Sequence, residues 1–203
     1  MAKGEAKAPA ALGFLTVLDH PQHGLMGGYL VLNAAGRPLE FHCTAPVKPN
    51  RAQQILYGPT LEPFLYGEQI GQALVGKSQL TPLVICTDVP PAMAVRSLIS
   101  APVALVLPAE EDAAADSERT YRVDGPHASV AALCQFHVGR NRLAVPVDRE
   151  ADRAAIQERL TALGDLIDLA EPFGRIREAI EEAQRGGRSP SSSEPAKSAA
   201  ADR

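Results

Sequence analysis

Residues 28–44 carry the pattern that most constrains this chain. GYLVLN (28–33) and LEFHCT (39–44) flank the short loop AAGRP. A glycine-containing loop of that length between two strand-forming runs predicts an antiparallel hairpin. In the second run Leu39, Phe41 and Cys43 alternate with Glu40, His42 and Thr44. A period of two predicts a strand with one buried and one wet face, and the apolar set is expected to point inward.

FLTVL (14–18) predicts a strand ahead of this hairpin, and Pro21, Gly24, Gly27 and Gly28 in DHPQHGLMGG predict a turn between them. After the hairpin, Pro46 and Pro49 stop the sheet. Asn50 caps a helix beginning RAQQILY, and Gly58-Pro59 ends it. Thr60 caps a second helix. Leu61, Phe64, Leu65, Ile70 and Leu74 form its stripe, with Gly67 and Gly71 allowing close approach to the sheet. PLVIC (82–86) and PVALVLP (102–108) are apolar without alternation, as strands covered on both faces are. Pro91 starts a short helix, AMAVRSLI (92–99), between them, so a βαβ unit is expected.

TYRVD (120–124) and CQFHV (134–138) suit strands, and LAVPV (143–147) suits an edge strand because Pro146 lacks a ladder donor. Ile156, Leu160, Leu163 and Ile167 mark one helix. Phe173, Ile176 and Ile180, after Glu171-Pro172, mark another. The expected fold class is α+β or mixed α/β: a mixed sheet opening with an antiparallel hairpin, covered by helices, with C-terminal helices. Residues 1–12 are expected to be a flexible N-terminus and 13–185 a single domain. Residues 186–203, rich in Ser, Pro and Ala, are expected to form a disordered tail. The order of elements from the first hairpin onward is loosely similar to that of profilin-like folds such as longin and roadblock domains. That resemblance implies a binding platform and transfers no residue.

Composition narrows the function. Aromatic residues are 4% of the chain and Trp is absent, so a stacking surface for single-stranded nucleic acid is not expected. The formal charge of -4 gives no basic stripe. Three cysteines, Cys43, Cys86 and Cys134, are too few and too scattered for a disulfide framework. They read as free thiols of a reducing compartment, the cytoplasm. There is no phosphate-loop or dinucleotide fingerprint and no nucleophile elbow, and no cofactor is indicated.

The remaining chemistry is sparse. Lys48 and Arg51 lead into the helix after Asn50, where cations and the helix dipole together favour an anion. Tyr57 and Tyr66, each followed by glycine, join them as a partner- or anion-binding surface within residues 44–68. Asp19, His20 and His23 share one loop, with His42 as a further imidazole. His127, Cys134 and His137 form a second metal candidate, which requires Cys134 and His137 to share a helix face. Thr87 and Asp88 follow the PLVIC strand, where open α/β sheets place polar ligands. No catalytic residue is assigned. The leading expectation is a non-enzymatic protein-interaction or assembly module with a protein partner and with no nucleic acid or membrane. Behind it stand an enzyme or small-ligand sensor with an unfamiliar polar or metal site, and a nucleic-acid-associated accessory protein.

Overall fold

The computed structural model describes residues 10–108, 133–161 and 167–186. TYRVD, His127, Leu163 and residues 187–203 lie outside them. Among the described residues seven strands form one mixed sheet: β1 Ala11–His20, β2 Gly24–Asn33, β3 Pro38–Cys43, β4 Val84–Thr87, β5 Val103–Val106, β6 Leu133–Val138 and β7 Asn141–Pro146. Their order across the sheet is β3-β2-β1-β4-β5-β7-β6. β1, β4 and β5 run parallel, and the expected β2–β3 hairpin is antiparallel. β7 lies between β5 and β6 rather than at an edge. Pro146 is tolerated there because it is the last residue of its strand.

Helices cover both faces. α1 is Arg51–Tyr57. α2 is one continuous run with an α-helical start at Leu61–Pro63, a π-helical middle at Phe64–Gly71 and an α-helical end at Gln72–Val75. A 3-10 helix, Pro90–Ser97, joins β4 to β5 in place of the expected α-helix. Its two leading prolines remove backbone donors, and eight residues suffice for the crossover only in this more extended helix. α3 is Glu150–Leu160 and α4 is Glu171–Gly186.

Alternation along β1 sends Leu12 and Phe14 to one face and Leu15 and Val17 to the other. On the first face Ile156 and Leu160 of α3 and Phe173, Ile176 and Ile180 of α4 cover the sheet. Phe14 meets Phe173 edge-on, with ring centroids 5.8 Å apart. On the second face α2 supplies Leu65, Ile70 and Leu74, and the 3-10 helix supplies Ala92 and Val95. Arg96 clamps the 3-10 helix to α3 through a two-pronged contact with Asp152, at 2.6 and 3.0 Å. That hydrogen bonding raises the Arg96 pKa further.

Three expectations are corrected. Gly27 and Gly28 lie within β2, not in a turn. A Cβ on Gly27 would run into Ile70 and Leu74 of α2, and one on Gly28 into Ile176 and Ile180 of α4. The pair is therefore a mid-strand notch that lets a helix sit close on each face. On β3 the alternation holds but its faces are inverted: Leu39 and Phe41 are each 39% exposed and Cys43 is exposed. Helix α4 packs on β1 and β2, leaving the apolar side of β3 uncovered. The polar side instead abuts the end of α2, where the Gln79 backbone N–H donates to Glu40 at 3.1 Å. Third, Cys43 is not a core thiol, whereas Cys86 is fully buried and burial pushes its thiol up to about 12. Among the described residues no helix is long and apolar enough to cross a membrane.

Candidate functional site

β1 and β4 are adjacent parallel strands in the centre of the sheet, registered from Leu12 with Val84 to Leu15 with Thr87. Continuing that register by one residue sets Thr16 beside Asp88. Both follow the parity of Phe14 and Cys86, so both lie on the face that α4 covers. Arg177 of α4 closes the group: its guanidinium donates to Asp88 Oδ2. Thr16 is completely buried, and its hydroxyl oxygen has no hydrogen-bond partner. Asp88 Oδ1 is likewise buried and unpartnered.

An unsatisfied buried oxygen costs about 1–3 kcal/mol. Two of them on one face, at the carboxyl end of β4 and the middle of β1, are therefore an arrangement that packing alone does not favour. A third orphan, the Tyr29 hydroxyl, lies on the opposite face, against Gly13. Burial, with smaller contributions from Glu40 and Cys86, raises the Tyr29 pKa and keeps the phenol neutral.

The β1–β2 turn follows the carboxyl end of β1, four residues beyond Thr16. His20 and His23 stack there with centroids 4.4 Å apart. His20 Nδ1 accepts the backbone N–H groups of Gln22 and His23 at 3.2 and 3.3 Å. Lys48 reaches across and donates to the Gln22 carbonyl at 2.6 Å.

The structure splits the residues of the expected 44–68 surface. Lys48 belongs to the histidine turn. Arg51 is exposed on α1 and reaches Gln54 at 3.4 Å. The Asn50 capping box forms as the sequence suggests, with Asn50 accepting from Gln53 N–H and Gln53 Oε1 accepting from Asn50 N–H. Tyr57 stacks on Phe64 at 4.2 Å, and Tyr66 packs into the α2 side of the core. Lys48 and Arg51 thus face different neighbours.

The metal candidates do not assemble. His42 lies within β3 opposite Tyr29, away from the His20–His23 turn, and contacts Glu40 at 3.1 Å. The Glu40 pKa is lowered, first by hydrogen bonding from Ser78 and then by His42 and the Gln79 backbone. Cys134 and His137 sit on a strand, so their spacing of three puts them on opposite faces. His137 borders an open depression of about 250 Å³ lined by Val138, Gly139, Gln157 and Thr161. Among the described residues no three His, Cys, Asp or Glu side chains converge to hold a metal ion.

Sequence reasoning placed Asp88 at a strand's carboxyl end but missed Thr16 and Arg177. The available signals were a lone hydroxyl at an inward position of FLTVL and an arginine beside Ile176 in the apolar stripe of α4.

No protein-family model matches the chain, and no curated protein does. Among solved structures it is similar to endonuclease V of Ciona intestinalis in complex with a 24mer DNA containing an inosine followed by a ribo-adenosine. The TM-score is 0.38 with 12% identity, covering 86% of this chain and 87% of that one. A substituted form of the same enzyme on a 23mer DNA gives 0.38 and 13% with the same coverage. The likeness is loose and transfers no residue. Both neighbours are endonucleases in complex with DNA, unlike the leading expectation of a non-enzymatic assembly module. The interaction-module reading, with its protein partner and its exclusion of nucleic acid, is withdrawn.

Proposed function

We propose that this chain binds a polar ligand at the carboxyl end of β4, beside the middle of β1, as a small-ligand sensor or enzyme does, through Thr16, Asp88 and Arg177. The observation that carries this reading is the pair of buried, unpartnered oxygens, Thr16 Oγ1 and Asp88 Oδ1, on one face of the sheet. Ligands of open α/β sheets collect beyond the carboxyl ends of the strands. A hydroxyl can donate or accept, an ionised carboxylate accepts, and the half-exposed Arg177 has further donors beyond the one on Asp88. The three free cysteines, one of them fully buried, support a cytoplasmic setting.

Thermal-shift screening of nucleosides, nucleotides, sugar phosphates and amino acids tests the site. At least one class is expected to raise the Tm of the wild-type chain, with the shift lost in Thr16→Val/Asp88→Asn. Without ligand, Thr16→Val is expected to stabilise the fold by about 1 kcal/mol, because it removes an unsatisfied hydroxyl while keeping its shape. A panel that moves no Tm, or shifts that survive the double substitution, would refute the reading.

A second reading, nucleic-acid contact, is favoured by the stacked His20–His23 pair beside Lys48 at the β1–β2 turn. Paired imidazole faces next to a cation suit an unstacked base and its phosphate. Fluorescence anisotropy with a single-stranded oligonucleotide is expected to show binding that weakens steeply with salt and is reduced by Lys48→Glu. Absence of binding at low salt would dispose of it.

A further inference from the structure

We propose that Thr16, Asp88 and Arg177 form a site for a phosphate monoester, selective for an oxyanion that carries its own O–H. The proposal rests on the polar-ligand reading above and names the ligand class. Among the described residues Arg177 is the cation on Asp88, bound to its Oδ2, and 44% of its side chain remains exposed. Its planar fork can keep that contact while its other N–H groups take an anion from solvent.

Behind it, Asp88 Oδ1 can only accept a hydrogen bond, and a bare oxyanion placed against it meets a like charge. An oxyanion with a proton turns that contact into a hydrogen bond. The Thr16 hydroxyl can then donate to a second oxygen of the same group. A single compact anion with one donor and several acceptors would satisfy the two orphan oxygens and the arginine fork together.

A phosphate monoester has a second pKa near 6, so a protonated fraction is present at neutral pH. Sulfate and an internal phosphodiester lack that proton. Both orphan oxygens are shielded from solvent, so admitting the group requires a local shift of the half-exposed Arg177 fork about its contact with Asp88. Free phosphate and the phosphorylated end of a nucleic acid present the same chemistry, and the experiment separates them.

Phosphorus NMR of inorganic phosphate titrated with the full chain should show saturable binding that an equal concentration of sulfate does not displace. Arg177→Met should abolish binding, and Arg177→Lys, which keeps the charge but loses the fork, should weaken it. Asp88→Asn should admit sulfate, because an amide N–H replaces the repelling oxygen. A terminally phosphorylated oligonucleotide binding about tenfold tighter than its terminal-hydroxyl counterpart would assign the site to a chain end. Equal affinities would assign it to free phosphate. Non-saturable phosphate, effective competition by sulfate in the wild type, or unchanged binding in both Arg177 variants would overturn the proposal. If another ligand class stabilises the chain through Thr16 and Asp88 while phosphate does not bind, this inference falls and the polar-ligand reading stands. If no ligand stabilises it, both fall.

Discussion

Phe14→Ala should destabilise the chain by about 3–5 kcal/mol, the largest loss expected from any single truncation in the sheet. Phe14 is fully buried in β1, the strand that joins the antiparallel hairpin to the parallel half of the sheet. Its ring meets Phe173 of α4 edge-on, so truncation removes both burial and an aromatic pair. Urea unfolding followed by far-UV circular dichroism reads the effect as a lower midpoint with an unchanged slope. A loss below about 1 kcal/mol would mean that α4 does not bear on the sheet as described.

Gly28→Val should be nearly as severe, for the opposite reason. No Cβ fits at Gly28 without displacing Ile176 and Ile180, so the substitution pushes α4 off the sheet. Overpacking of a well-filled core costs about 1–3 kcal/mol, and more where backbone has to move. Hydrogen exchange localises the damage: the amides of α4 should lose protection in Gly28→Val while those of α2, on the opposite face, keep theirs. Gly36→Ala is the internal control. An added methyl there meets nothing within 4 Å, but its φ of 72° is strained for any residue with a side chain, at about 1 kcal/mol. Retained α4 protection in Gly28→Val would refute the notch.

The second substitution also bears on the candidate site. Arg177 reaches Asp88 only while α4 lies flat, and α4 lies flat because Gly28 has no side chain. Packing at β2 therefore holds a polar group at the end of β4 in place. Gly27 and Gly28 read locally as turn residues, since glycine breaks regular structure. Inside β2 they leave room for two helices, a demand set by residues more than forty positions away.

Local patterns determined much of this protein. The hairpin, the unalternated central strands, the Asn50 cap and the α4 stripe all depend on residues within a few positions of one another, and so they are legible along the chain. The alternation on β3 was equally legible, but its direction was not. Which face of an edge strand is buried depends on which helix reaches it, and α4 stops at β2. Asp88 could be placed at a strand's end because that needs only β4 and the turn after it. Its partner could not: Arg177 is 89 residues further along, and only the docking of α4 across β1 brings it there. Thr16 reads as a small interruption in an apolar strand until β4 is laid beside β1 in register. The chain's local chemistry thus determined its elements. Tertiary packing alone decided which polar groups share a face and are left without partners, because burial and hydrogen bonding are settled between elements rather than within them.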